Sequence, residues 1–418
     1  MSIIIPPATL SGAIKIQPSK SMTHRAAICA ALAGKGAAVI NAGRSEDTAA
    51  TLGALASLGI ASFNQKGNAL YVSEPKPGSQ GIADCGESGS TLRFLIPIAL
   101  LNGGGVFSGR GRLMQRPLDV YRDIFTPMGV TWQQKKNHLS ISGKLSPGEY
   151  RLPGNVSSQF VSGLLFALPL TASGSVISLS ATVESRGYID MTLEAMSRFG
   201  VWAGWLDQRT IEIPGNQSYK PAKMTVEGDY SHAAFFLCAG AMGGDIECLG
   251  LSGDTSQGDS RVIEIIRSMG GDCGISEDVV YSRGRVSRGA TIDVSQIPDL
   301  VPALSVLACA ANGVTRLENA ARLRIKESDR LSAMAAGLSN LGADITEGED
   351  FLEIRGNGKL KGGSCSAWND HRIAMSLTTA AAICEGDIIL DGHESVAKSA
   401  PEFYNEYKSL GGKAYERE

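Results

Sequence analysis

SLGIAS at 57–62, PMGVTW at 127–132, RFGVWA at 198–203, SMGGDC at 268–273, NLGADI at 340–345 and SLGGKA at 409–414 share one text: an apolar residue, a glycine, then strand-like sequence. Their first glycines, Gly59, Gly129, Gly200, Gly270, Gly342 and Gly411, lie 70, 71, 70, 72 and 69 residues apart. Each closes a segment with helical periodicity and precedes a β-rich stretch, which predicts glycine in the left-handed conformation that ends a helix. A second series interleaves in the same phase. Polar or small residues open strongly apolar helical text at 21–32, 90–101, 158–170, 231–242, 298–311 and 370–383. These helices carry almost no charge beyond their first turn, so they should be buried nearly all round. Short strands fall between them, at 70–72, 139–142, 211–213, 279–281 and 352–354. A period near 70 exceeds that of solenoid repeats, which run about 20–45 residues. Six copies of a small α/β unit predict two pseudo-threefold domains of three units each.

Size and composition agree with two domains. At 418 residues the chain is too long for one core, and its net charge of −3 is ordinary. No basic tail or Lys/Arg run suggests nucleic-acid binding. The N-terminal MSIIIPPATLSGAIKIQ has no basic n-region followed by an apolar h-region, so no secretory leader is expected. The longest apolar stretches are too short to span a membrane. The eight cysteines form no CxxC and join no His-rich cluster, so reduced buried thiols, no structural metal and a cytoplasmic location are expected.

Chemistry concentrates where the buried helices begin: PSKSMTHR at 18–25, GESGSTLR at 86–93, Ser157-Ser158-Gln159, Asp229-Tyr230-Ser231, Ile297-Pro298-Asp299 and Asn369-Asp370-His371-Arg372. Helix N-termini offer unpaired N–H groups and receive phosphate or carboxylate. Ser90, Ser231 and Asp370 read first as N-caps. Lys20, Arg25, Arg93 and Arg372 do not, because a cation near a helix start opposes the dipole and invites a bound anion. Three loops add charge: RGRLMQRP at 110–117, RLRIKESDR at 322–330, and VAKSAP at 396–401. Together they predict a pair of phosphorylated, anionic ligands.

With these motifs in this order, the chain resembles the enolpyruvyl transferases, in the branch of EPSP synthase (3-phosphoshikimate 1-carboxyvinyltransferase), over essentially its full length. PSKSMTHR resembles the family's N-terminal PGSKS-type element, Gln115-Arg116-Pro117 its ERP-type turn, and Ser157-Ser158-Gln159-Phe160 its SSQF. Ser185-Arg186-Gly187-Tyr188-Ile189-Asp190 is similar to S-x-x-Y-I-D; Ile297-Pro298-Asp299, Lys326 to Arg330, Asn369 to Arg372, and Ala397-Lys398 complete the set. The resemblance implies a two-domain inside-out α/β barrel of six βαβαββ repeats, three per domain. One domain would take residues 1–18 and 228–418, the other 19–227, with an interdomain active site.

The resemblance also implies roles. Shikimate 3-phosphate would meet Lys20, Ser21, Arg25, Ser157, Ser158, Gln159, Ser185, Tyr188, Asp299 and Lys326. Phosphoenolpyruvate (PEP) would meet Lys20, Gly89, Arg116, Gln159, Glu327, Arg330, His371, Arg372 and Lys398. The catalytic groups would be Asp299, Glu327 and Lys20, with no metal or cofactor, in a monomer that binds neither nucleic acid nor membrane. Asp299 would accept the proton of the attacking 5-hydroxyl; Glu327 would protonate the PEP methylene and later deprotonate it as phosphate leaves. Two positions depart from the family pattern. Glu87 stands where an amide is usual, and Arg322 where asparagine is expected. The alternatives are UDP-N-acetylglucosamine enolpyruvyl transferase and a non-catalytic phospho-ligand-binding homologue. The first typically has a cysteine where this chain has Leu113 and Met114, and Lys-Asn where it has Lys20-Ser21.

Overall fold

A computed structural model describes residues 2–75, 81–277 and 279–417. The chain forms two compact units: Pro18–Val226 is continuous, and Met1–Gln17 joins Glu227–Glu418 in a discontinuous one. Among the described residues, six α-helices lie in the continuous unit: α1 (Lys20–Ala33), α2 (Glu46–Ser57), α3 (Gly89–Leu101), α4 (Asp119–Phe125), α5 (Ser158–Ala167) and α6 (Arg186–Arg198). Six lie in the other: α7 (Tyr230–Gly240), α8 (Val262–Ser268), α9 (Val301–Ala310), α10 (Arg330–Asn340), α11 (His371–Thr379) and α12 (Phe403–Ser409).

Each unit holds three four-stranded sheets among the described residues. In one, Ile82–Asp84 runs parallel to Gly104–Ser108, which pairs antiparallel with His138–Ser142, itself antiparallel to Thr131–Gln134. The same order recurs, but three strands come from elsewhere in sequence. Lys223–Thr225, at the end of the continuous unit, fills the parallel place beside Ala38–Ile40. Ser11–Lys15, which precedes α1, lies instead beside Met242–Leu249 in the discontinuous unit. Ser2–Ile5 likewise enters a late sheet, antiparallel to Ile388–Asp391.

The odd-numbered helices form the cores because almost no charge interrupts their apolar text beyond the opening turns. Every residue of α7, α9 and α11 is buried, and the three pack on one another. The 298–311 segment is not one helix. A 3₁₀ turn over Pro298–Leu300 leads into α9, and prolines 298 and 302 suit such a start. The periodic glycines follow the even-numbered helices and all adopt positive φ, from +69° at Gly59 to +94° at Gly411. Those helices therefore end where a side chain would be disfavoured. Among the described residues no helix is long and apolar enough to cross a membrane.

Candidate active site

In the continuous unit, α1 starts at Lys20 behind Ser19, whose hydroxyl accepts from Met22 N. The Lys20 ammonium pairs with Asp47 at 2.9 Å, both side chains about 15% exposed. Arg25 lies deeper, its guanidinium donating to Thr192 Oγ1 (2.8 Å), Ser21 O (2.7 Å) and Tyr188 O (2.8 Å). Arg93 donates to Gln159 Oε1 (2.7 Å) and Pro117 O (3.1 Å), and Gln159 Nε2 donates to Ser90 Oγ (3.0 Å). A cation near a helix start therefore does not by itself call for an external anion. Arg25 and Arg93 are the sixth and fifth residues of their helices, and carbonyls and an amide oxygen meet their charge. Ser90 is not the cap of α3; Ser88 is. Nor is Ser231 the cap of α7, which Asp229 supplies.

Arg116 ends a short 3₁₀ turn and is buried. Its guanidinium lies flat against Gly89: a Cβ there would stand 2.9 Å from Nη1 and 3.0 Å from Cζ and Nη2. Glycine at 89 thus admits the arginine to the start of α3. The Glu87 carboxylate rests against Gly111, whose Cβ would lie 2.7 Å from it. Ser157 caps α5 and Ser158 is its first residue. Ser185 precedes α6 in the left-handed region at φ 54°. Serine is not glycine, so that conformation carries strain of the kind found at ligand-binding turns.

The discontinuous unit gathers Asp299, Lys326, Glu327, Arg330, Asp370 and Arg372 into one charged cluster. Arg330, the first residue of α10, is 1% exposed. Its Nε donates to Asp370 Oδ2 (2.8 Å), its Nη1 to Asp299 Oδ1 (3.0 Å), and its Nη2 to Glu327 Oε2 (2.8 Å). Arg372 donates from Nη2 to Asp299 Oδ2 (3.0 Å) and from Nη1 to the Asp299 carbonyl (3.2 Å). Lys326 Nζ stands 3.6 Å from Asp299 Oδ1. Asp370 caps α11, accepts from Ser328 Oγ at 3.0 Å and is fully buried. Lys398 donates to Asn369 O at 2.7 Å, and His371 is buried at the start of α11. Arg322 donates to Ser295 O at 2.8 Å.

Electrostatics separates these groups. Burial works to raise the Asp299 carboxyl, but the Arg372, Lys326 and Arg330 cations overcome it and hold the group well below the usual carboxylate range. Burial pushes the Lys326 ammonium down to about 8, with Arg330 and Arg322 acting the same way and Asp299 opposing. Asp259, hydrogen-bonded to Ser231, is pushed up to about 6 by burial and then by the Asp299 charge. Among the described residues no three His, Cys, Asp or Glu side chains are placed to hold a metal.

Sequence reasoning missed Asp47, Asp259 and the hub role of Asp370. A lone aspartate gives no signal of its partner when that partner lies 27 or 40 residues away.

The model of the EPSP synthase (3-phosphoshikimate 1-carboxyvinyltransferase) family matches residues 4–407. The chain belongs to that family. It is similar to the 3-phosphoshikimate 1-carboxyvinyltransferase of Clostridium kluyveri, with 44% identity over 98% of this chain and 97% of the relative. That of Clostridium perfringens is 46% identical over 98% of each. Among solved structures, the EPSP synthase of Acinetobacter baumannii matches with a TM-score of 0.80 at 27% identity, covering 99% of this chain and all of that one. The enolpyruvyl transferase NikO of Streptomyces tendae, 18% identical, shares the fold with a TM-score of 0.79, covering 99% of this chain and 98% of its own. The architecture is thus the inside-out α/β barrel pair of this EPSP synthase family, built from six repeats.

Proposed function

We propose that the chain transfers the carboxyvinyl group of PEP to the 5-hydroxyl of shikimate 3-phosphate, releasing phosphate, in the pathway to aromatic amino acids. The carrying observation is the cluster in which two carboxylates, Asp299 and Glu327, share the Arg330 guanidinium yet differ in their other neighbours. The reaction needs two such groups. The 5-oxygen bonds to C2 of PEP while its proton goes to Asp299 and C3 gains one from Glu327. Glu327 then takes a proton back from C3, the enol ether double bond forms, and the C2–O bond to phosphate breaks as the leaving phosphate oxygen takes up the proton held by Asp299. Carboxylates beside the cationic C2 centre stabilise it electrostatically.

Ser157, Ser158, Ser185 and Tyr188 hold the phosphate ester and ring of shikimate 3-phosphate, with Lys20, Ser21, Gln159 and Lys326. Arg25 is largely occupied by Ser21, Tyr188 and Thr192; it contributes chiefly by placing the first two. PEP takes Lys20, Gly89, Arg116, Gln159, Glu327, Arg330, His371, Arg372 and Lys398. An anion that draws Arg372 away from Asp299 also removes the cation that holds this carboxyl acidic, making it a better base.

The test is phosphate release from PEP with shikimate 3-phosphate, and separately with UDP-N-acetylglucosamine. Release with the first acceptor alone is expected, and release with the second alone would overturn the reading. Asp299→Ala should lower kcat by roughly 10²–10⁴-fold while shikimate 3-phosphate still binds by calorimetry. Near-normal turnover in that variant would remove Asp299 from the mechanism.

A further inference from the structure

His24 lies on the buried face of α1, one turn after Lys20, and is 2% exposed. It belongs to no set of residues assigned above to either substrate, yet it heads an unbroken chain of hydroxyls. His24 Nδ1 is 2.7 Å from Thr51 Oγ1 on α2. Thr51 Oγ1 is 2.6 Å from Thr91 Oγ1 on α3. Thr91 Oγ1 donates to Ser88 Oγ at 2.8 Å, and Thr91 N donates to the same oxygen at 3.2 Å. The chain thus starts at α1, crosses α2 and ends on the cap of α3.

Counting protons gives the chain a direction. Each hydroxyl has one proton to donate. Both threonine hydroxyls also approach the Asp47 carbonyl, at 3.5 Å from Thr91 and 3.4 Å from Thr51, but the shorter contacts take their protons: Thr91 donates to Ser88 at 2.8 Å, so its oxygen accepts from Thr51 at 2.6 Å. Thr51 has then spent its own, so its oxygen accepts from the imidazole. His24 must therefore carry its proton on Nδ1. Burial, followed by the Lys20 and Arg25 charges, holds the ring well below its usual pKa and hence neutral, which leaves Nδ1–H as the donor.

The segments so joined carry anion-binding groups of the proposed reaction. Lys20 lies one turn before His24, and its partner Asp47 one turn before Thr51. Ser88 immediately precedes Gly89, against which Arg116 lies. We propose that His24 is a positioning residue: through Thr51 and Thr91 it fixes the start of α3 relative to the starts of α1 and α2, so that Lys20, Gly89 and Arg116 present one preformed set of donors to PEP. The inference rests on the transferase reading. Most shikimate 3-phosphate residues lie on α5 and α6, outside the chain, and only Lys20 and Ser21 on α1 are shared with it, so PEP should respond more strongly than shikimate 3-phosphate.

The experiment measures KM for each substrate and kcat in wild type, His24→Leu, Thr51→Val and His24→Asn. Thr51→Val keeps the shape of the side chain and removes the central hydroxyl, so it serves if His24→Leu fails to fold. Losing a hydrogen bond in such a chain should raise KM for PEP roughly five- to tenfold, with KM for shikimate 3-phosphate, which shares only Lys20 and Ser21 of these helix starts, rising by less than about twofold. The Asn side chain places its N–H near the position of imidazole Nδ1, so His24→Asn should restore KM for PEP to about twice the wild-type value or less. The double variant His24→Leu/Thr51→Val should be no worse than the poorer single one, since both break one chain. Unchanged KM for PEP in both single variants would overturn the inference, as would equal increases for both substrates or no rescue by Asn. Wild type that releases no phosphate would instead refute the transferase reading itself.

Discussion

Gly89→Ala separates a backbone effect from a site effect, because the two have opposite signs. Gly89 opens α3 in helical backbone, where alanine is favoured over glycine by roughly 0.5–1 kcal/mol. Stability should therefore hold or rise. The new methyl, however, would lie 2.9–3.0 Å from three atoms of the Arg116 guanidinium. Carbon contacts settle near 3.5–4.0 Å, so the guanidinium must retreat by about 0.5–1 Å. It is the end of a flexible side chain, so the retreat costs little folding energy. In a site that works by positioning, a displacement of about 1 Å can cost up to 10²-fold. We expect kcat/KM for PEP to fall roughly 10- to 100-fold, mostly through KM, with KM for shikimate 3-phosphate little changed. Steady-state phosphate release with each substrate varied, plus urea denaturation, reads both halves. An unchanged KM for PEP would refute the assignment of Arg116 to that substrate. A large loss of stability would refute the claim that only a side chain has to move.

Lys326 titrates near 8 in the free protein, so kcat/KM for shikimate 3-phosphate should decline as pH rises through about 8. In Lys326→Arg that decline should move beyond the assay range, and a limb that stays in place would belong to another group. Asp259 has a folded-state pKa raised to about 6; its contribution to stability is thus fully present below its unfolded value and lost as pH rises through 6. Asp259→Asn should accordingly raise the urea midpoint relative to wild type at pH 7.5, with the difference shrinking toward pH 4.5; the opposite trend would show the carboxylate to be a favourable partner. Gly129 has φ +85°, and a methyl added there would meet nothing within 4 Å, so Gly129→Ala should cost about 1–2 kcal/mol with the urea slope unchanged. A neutral result would mean that the left-handed turn does not set the glycine period.

The repeat was legible because one conformational demand recurs six times and glycine meets it cheaply. The buried helices were legible for a complementary reason: α7, α9 and α11 have no charge past their first turn, so no face of them suits water. Apart from the resemblance, which assigns residues 1–18 to the domain of 228–418, the strand exchange was not legible. Lys223–Thr225 and Ser11–Lys15 are three and five residues long, and neither sequence says which sheet it enters. The basic residues of the site could be found, but not their partners. Arg372 and Asp299 are 73 residues apart, and only the packing of α9 against α11 brings them together. Arg25 and Arg93 show the limit of the helix-dipole argument. It counts charge near a helix end but cannot see a carbonyl on a neighbouring helix.

The site cations change meaning once those partners are known. Read from sequence, Arg330 and Arg372 were bare charges waiting for phosphate. In the structure Arg330 already serves Asp299, Glu327 and Asp370, and Arg372 serves Asp299. An anion bound there as proposed would therefore exchange with carboxylates rather than neutralise empty charge. Its net gain is smaller than the same contacts would give against unpartnered arginines, because a paired buried charge has already recovered much of its desolvation cost. The exchange has a second consequence. Asp370 is fully buried and caps α11, so it is held where it is. Asp299 and Glu327 are partly exposed and can give up a share of their arginines. On the proposed assignment, binding would loosen the two carboxylates proposed to move protons and leave the structural one in place, coupling occupancy by an anion to the basicity of the groups that act on it.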